Sequence, residues 1–190
     1  MKQALFALPL LAFAVVAAKP APVPAPVPSI VAPAEVAANP ANRLTLTLSN
    51  GGTVVIQLRP DLAPHHVEHI QTLVRQGFYD GLTFHRVIPG FMAQGGDPGG
   101  TGEGGSKLPD LKAEFTPMLP FLRGTVAAAR TEQPDTANSQ FFIMFVPNSN
   151  LDNKYTIFGR VISGMDTVDR IAPGEPPPQP TKIVKATVGG

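Results

Sequence analysis

Between Phe84 and Asp97 the chain reads Phe-His-Arg-Val-Ile-Pro-Gly-Phe-Met-Ala-Gln-Gly-Gly-Asp, which sets a permanent cation, Arg86, and a carboxamide, Gln94, among Val87, Phe91 and Met92. Side chains of an extended segment alternate between faces. Phe84, Arg86 and Ile88 therefore share one face before Pro89-Gly90 turns the chain. After the turn Met92 and Gln94 share a face, with Phe91 and Ala93 opposite. A guanidinium and an amide can then converge on one apolar wall, a set suited to hydrogen-bonding a polar group held in an apolar slot. Ser139-Gln140-Phe141-Phe142-Ile143 adds a second amide and two aromatics, and alternation sends Phe141 to the core, opposite Phe142. A lone arginine on an apolar strand must either pair internally or line a cleft.

Other chemistries find weaker footing. The chain has no cysteine, which excludes disulfides, thiol catalysis and cysteine zinc sites. His65, His66 and His69 recur at helical spacing, but His-His-Val-Glu-His is not HExxH, so neither a metal nor any other cofactor is expected. His85 alternates away from Arg86 and is assigned structural support. Gly100-Thr101-Gly102-Glu103-Gly104-Gly105 is a literal GxGxxG. An Asp-Pro-Gly-Gly loop precedes it, however, and Ser106-Lys107-Leu108-Pro109 follows where a helix should open, which argues against nucleotide binding. Ser106 lacks the flanks of GxSxG. The glycines fit a surface loop folded tightly beside a groove.

The 190 residues accommodate one domain plus an extension, and 43% hydrophobic content fits a globular protein. A formal charge of +1 gives no basic surplus for nucleic acid or acidic lipid. Lys2 precedes an apolar run from Ala4 to Ala18, broken only by Pro9 and ending in small residues. It is shorter than the ~20 residues of a membrane span. Residues 1–18 are thus expected to be an export signal cleaved near Ala18, with an uncleaved membrane tether as the alternative. Residues 19–42 alternate Pro with Ala and Val and carry only Lys19 and Glu35 as charges, the pattern of a semi-rigid Pro/Ala-rich linker without fixed structure. The ordered domain is expected over 43–190.

Leu44, Leu46 and Leu48 alternate with Thr45 and Thr47, and Asn50-Gly51-Gly52 leads into Thr53–Leu58, which predicts a hairpin. Pro64 can open a helix through about Gln76, with Val67, Ile70, Leu73 and Val74 on one face and Gly77 stopping it. Further strands are expected over Gly124–Arg130, Ser139–Phe145, Tyr155–Ile162 and Ile183–Val188, with a short helix in Gly164–Ile171. The prolines from Pro173 to Pro178 read as an extended link. Many short strands with few helices point to a mainly β, closed antiparallel barrel.

Phe84–Asp97, followed in order by Gly-Thr-Gly, Ala129-Arg130, Ser139–Ile143, Leu151-Asp152 and Phe158-Gly159, resembles the cyclophilin-type peptidyl-prolyl cis–trans isomerases from about Arg43 to Val188. The resemblance implies an eight-stranded cyclophilin-like barrel capped by two α-helices. It implies a catalytic role for Arg86 and a proline pocket made by Phe91, Met92, Phe142 and Leu151. It further implies amide contacts from Gln94 and Gln140, and backbone contacts to substrate around Ala129 and Arg130. Tyr155 stands where the best-known eukaryotic pattern has histidine, offering a ring and a hydroxyl to the pocket rim. Asn150 stands where that pattern has tryptophan, from which weak binding of the family inhibitor cyclosporin is expected. The implied function is isomerisation of X-Pro bonds in proline-containing peptides. With the export signal the substrates are expected to be unfolded exported proteins in the periplasm, and the near-neutral charge and absence of a heptad favour a monomer. A peptide-binding holdase on the same barrel is the alternative.

Overall fold

The computed structural model describes residues 29–117 and 119–189; the expected signal segment and residues 19–28 of the linker lie outside them. The opening hairpin joins β1 (Arg43–Leu48) to β2 (Thr53–Leu58), with Leu44, Leu46, Leu48, Val54, Ile56 and Leu58 buried. Its turn places Gly51 at φ 83°, a left-handed conformation that costs glycine little. β3 (Phe84–Ile88), β4 (Met92–Gly95), β5 (Thr125–Ala128), β6 (Phe141–Met144), β7 (Ile157–Ser163) and β8 (Ile183–Val188) complete one antiparallel sheet. The spatial order is β3-β4-β6-β5-β7-β2-β1-β8.

The sheet curls until its two edge strands meet at a short seam rather than a full ladder. Thr83 bridges Lys182, the Phe84 N–H donates to the Thr181 carbonyl at 2.9 Å, and the Ile183 N–H donates to the Leu82 carbonyl at 2.8 Å. Inside lies the main core. There Phe141 meets Tyr79 and Phe84 edge-on at centroid distances of 5.8 and 6.1 Å, as expected for a residue facing away from Phe142. The Tyr79 hydroxyl donates to the Ser139 carbonyl at 2.9 Å, and burial pushes its pKa upward.

α2 (Pro64–Arg75) packs on β7 and β8 through Val67, Ile70, Leu73 and Val74. Its N-cap, Ala63, offers no side-chain acceptor. The Glu114 carboxylate substitutes from a distant loop, accepting from the His65 N–H at 3.2 Å and the His66 N–H at 3.0 Å. A negative charge at this end also suits the helix dipole. The helix stops in a Schellman arrangement: the N–H groups of Gly77 and Phe78 reach back to the carbonyls of Val74 and Leu73. α3 (Met165–Asp169) rests on β2, tied by an Asn50 side-chain bond to the Thr167 carbonyl at 3.1 Å.

Two expectations need correction. The described residues form three α-helices rather than two, and the additional one, α1 (Ala34–Ala38), lies in the stretch assigned to the linker. Ala34–Ala38 is a proline-free run of good helix formers between Pro33 and Pro40, so the extended reading fails there. A 3₁₀ turn over Pro40–Asn42 follows. Buried Gln57 anchors the segment, donating to the Val36 carbonyl at 3.3 Å and the Asn42 carbonyl at 3.1 Å. The Arg59 guanidinium reaches the Ile30 carbonyl at 3.3 Å. Fixed structure therefore starts well before Arg43.

Phe84 is the second. A register shift between Phe84 and Arg86 inserts one extra residue, His85, opposite β4. Such a bulge reverses the facing of everything beyond it. Phe84 turns into the barrel core while Arg86 stays on the outer face.

Buried histidines supply a test of the core. His66 donates to the Glu114 carboxylate through Nδ1 at 2.6 Å, while Nε2 of His66, Nε2 of His69 and both nitrogens of His85 have no partner among the described residues. A charged ring there would bury an N–H without an acceptor. Burial accordingly lowers all three pKa values from 6.5, with Glu114 opposing the shift at His66 and Asp97 opposing it at His85. The unfolded chain binds more protons than the native state just below pH 6.5, so stability falls as the pH drops through that value. Thermal melts should show Tm declining from about pH 7.5 to about pH 5.5, and a flat profile would refute this.

Candidate functional site

The outer face of the barrel carries the second apolar cluster, and the strand register explains which residues reach it. Arg86 pairs with Gln94, Gln94 with Phe142, and Phe142 with Ala127, a single row across β3, β4, β6 and β5. Two residues along, on the same face, Ile88 pairs with Met92 and Met92 with Met144. Neighbours in such rows face the same side. The guanidinium, the amide and the aromatic thus come together by ladder geometry alone.

Phe91 departs from the simple alternation. It sits in the Pro89-Gly90 turn, where its N–H donates to the Ile88 carbonyl at 3.0 Å and Gly90 takes φ 72°. Outside β4 the two-residue period does not apply. Phe91 therefore shares the outer side with Met92 instead of opposing it. Arg86, Phe91, Met92, Gln94, Ala129, Arg130, Phe142, Leu151 and Tyr155 line one cavity of about 130 Å³. That is far below the ~300–1,000 Å³ of sites for drug-sized ligands. It suits one small side chain or ring.

Phe142 forms the floor, 5% exposed, stacked on Phe121 at 6.1 Å and met edge-on by Tyr155 at 5.5 Å. The Arg130 guanidinium lies 4.6 Å over the Tyr155 ring and donates to the carbonyls of Thr131, Glu132 and Lys154. Its side chain is thereby committed to the rim. By contrast, neither the Ala129 carbonyl nor the Arg130 N–H has a partner among the described residues, which leaves both for an extended ligand. Leu151 comes from a 3₁₀ turn, Ser149–Leu151, held by the Asn148 side chain. Asn150 is exposed beside it and does not line the cavity.

Gln140 is the one expected site residue that lies elsewhere, in an adjoining groove of about 560 Å³. Its amide N–H groups go to the Gly102 and Gly104 carbonyls at 2.9 and 2.7 Å, and its oxygen accepts from Gln94 at 2.8 Å. It braces the glycine-rich loop.

That loop is organised by Asp97, a buried residue to which the sequence reading gave no role. Its carboxylate accepts from the N–H groups of Gly99, Thr101 and Gly102 at 2.8, 2.8 and 2.7 Å. Burial pushes the Asp97 pKa up, but the backbone donors outweigh it and the net shift is downward. The Asp-Pro-Gly-Gly pattern was a legible signal for such a turn. Phe121 was also missed, for want of any local signal.

The Arg86 side chain is 43% exposed and its Nε donates to the Glu175 carboxylate at 2.7 Å. This is a surface pair at the mouth of the cavity rather than an internal one. Among the described residues no group engages its two terminal nitrogens.

Fold and site together set one cavity the size of a small ring on the outer wall of a curled β-barrel, with an exposed guanidinium at its mouth. The chain belongs to the cyclophilin-type peptidyl-prolyl cis–trans isomerase family: the sequence model described as cyclophilin type peptidyl-prolyl cis-trans isomerase/CLD matches residues 43–188. A probable peptidyl-prolyl cis-trans isomerase of Brucella suis is 50% identical over 168 residues, covering 80% of this chain and 85% of that one. The human peptidyl-prolyl cis-trans isomerase-like 1 is 40% identical over 146 residues, 73% of this chain and 88% of its own length. Among solved structures, a cyclophilin from Hirschia baltica matches with TM-score 0.72 and 31% identity, covering 78% of this chain and 74% of that one. A cyclophilin-type isomerase of Cryptosporidium parvum, crystallised in the presence of the dipeptide Ala-Pro, matches with TM-score 0.71 and 28% identity over 77% of this chain and 98% of its own.

Proposed function

We propose that this isomerase acts on X-Pro bonds of exported proteins as they fold, with Arg86 stabilising the twisted bond. The observation that carries the reading is the row Arg86–Gln94–Phe142, in register at the mouth of a cavity of about 130 Å³. Rotation about an amide costs ~18–20 kcal/mol because resonance is lost midway. X-Pro bonds therefore relax in tens to hundreds of seconds unaided. At the midpoint the prolyl nitrogen regains a lone pair, an acceptor absent from the planar amide. A guanidinium N–H placed there bonds the transition state and not the ground state, the condition for raising kcat.

In this reading Phe91, Met92, Phe142 and Leu151 hold the proline ring, and Tyr155 closes the rim. Gln94, the Ala129 carbonyl and the Arg130 N–H fix the flanking backbone. With the ring anchored, the residue before proline swings. Support for export comes from Lys2 and the apolar run Ala4–Ala18 ending in small residues; a cleaved signal gives a periplasmic monomer, an uncleaved one a tethered form. Among the described residues no helix is long and apolar enough to cross a membrane. The Ala-Pro dipeptide named with the Cryptosporidium parvum structure supports proline-containing peptides as ligands. Asn150, exposed and away from the cavity, supports weak cyclosporin binding.

Refolding of a secreted test protein whose slow phase is proline-limited separates the two readings of the barrel. The isomerase accelerates that phase at catalytic amounts. A holdase would suppress aggregation and leave the rate unchanged.

A further inference from the structure

The link Pro173–Pro178 does more than connect α3 to β8. Gly174 forms an antiparallel bridge with Val87, with the Val87 N–H donating to the Gly174 carbonyl at 2.8 Å and the Gly174 N–H to the Val87 carbonyl at 2.9 Å. In an antiparallel pair, one step back from Val87 and one step on from Gly174 sets Arg86 opposite Glu175. Arg86 thus has Gln94 as its neighbour on one side and Glu175 on the other. Gly174 has φ 142°, and a side chain there would strike the Pro177 backbone, so the close approach needs glycine.

We propose that Glu175 is the positioning residue for Arg86. Its carboxylate takes the Nε edge at 2.7 Å and leaves both terminal nitrogens for substrate. An arginine side chain has several rotatable bonds, and one 43% exposed would otherwise sample many rotamers. A fixed acceptor at Nε restrains the guanidinium plane at the mouth of the cavity. Orientation of this kind acts on the rate of the chemical step rather than on peptide affinity. The inference rests on the catalytic reading of Arg86 given above.

The test uses Glu175→Ala and Glu175→Gln, each alone and in an Arg86→Ala background, with kcat and KM measured on a proline peptide. Exposed ion pairs are weak, so Glu175→Ala should lower kcat by about two- to fivefold and leave KM unchanged. Glu175→Gln, whose amide oxygen still accepts from Nε, should recover most of the loss. In the Arg86→Ala background neither change should matter. The Arg86 Nε–H resonance should move in Glu175→Ala and stay near its wild-type position in Glu175→Gln, a readout independent of turnover. Unchanged or increased kcat in Glu175→Ala, an equal loss in the Arg86→Ala background, or an unmoved Nε–H resonance would each overturn the assignment. Should Arg86→Ala itself retain full activity, the catalytic reading of Arg86 would fail instead, and the resonance would still report on the pair.

Discussion

Arg86→Ala is expected to lower kcat/KM for a proline-containing peptide by about ten- to a hundredfold while its Kd changes little. The size follows from the bond removed. A charge-assisted hydrogen bond contributes about 1.5–3 kcal/mol, and each 1.36 kcal/mol of barrier is tenfold in rate. The direction follows from timing, since the prolyl lone pair exists as an acceptor only in the twisted state. An interaction made only in the transition state lowers kcat and kcat/KM together when it is lost. Stability should be almost untouched, because the side chain is 43% exposed and its partner Glu175 is 52% exposed. Matching losses in affinity and turnover would instead identify Arg86 as a simple binding group.

Phe142→Ala should show the opposite pattern. Phe142 is 5% exposed and joins two parts of the outer cluster, Phe121 beneath it and Tyr155 at its edge. Truncating a buried phenylalanine costs about 3–5 kcal/mol through lost burial and the cavity left behind. One side of the ring already faces the open slot, which places the expected loss in urea unfolding near the lower end, about 3 kcal/mol. The slot also loses its floor. KM should therefore rise more steeply than kcat falls. Phe142→Leu keeps most of the volume and should show a smaller rise in KM with a nearly normal unfolding midpoint. Wild-type KM in both variants would mean that the ring-binding slot lies elsewhere.

The parts of this molecule written in local pattern were legible before any coordinates. The Asn50-Gly51 hairpin and the helix opened by Pro64 and stopped by Gly77 appear close to their expected bounds. The outward convergence of Arg86 and Gln94 follows from alternation on two strands joined by the tight turn at Pro89-Gly90. Alternation misled where its premise failed. The bulge at His85 sends Phe84 inward, and Phe91 belongs to a turn. α1 was hidden by the prolines around it, although Ala34–Ala38 itself contains none.

Long-range placement explains the remaining misses. Glu175 is 89 residues from Arg86, and Phe121 reaches Phe142 only because the loop before β5 folds over the outer face. Neither meeting leaves a periodic trace in the sequence. The ten proposed site residues were named through resemblance as much as through pattern. The structure gathers nine of them at one cavity and gives Gln140 to the bracing of the loop.

Exchange spectroscopy on an Ala-Pro test peptide, with substoichiometric wild-type protein and with Arg86→Ala, tests the central claim most directly, because it reads cis–trans interconversion and binding in one sample. The account predicts that both proteins bind the peptide with similar Kd and that only the wild type markedly speeds the exchange. Equal acceleration by the two proteins would contradict the claim that this guanidinium stabilises the half-rotated bond.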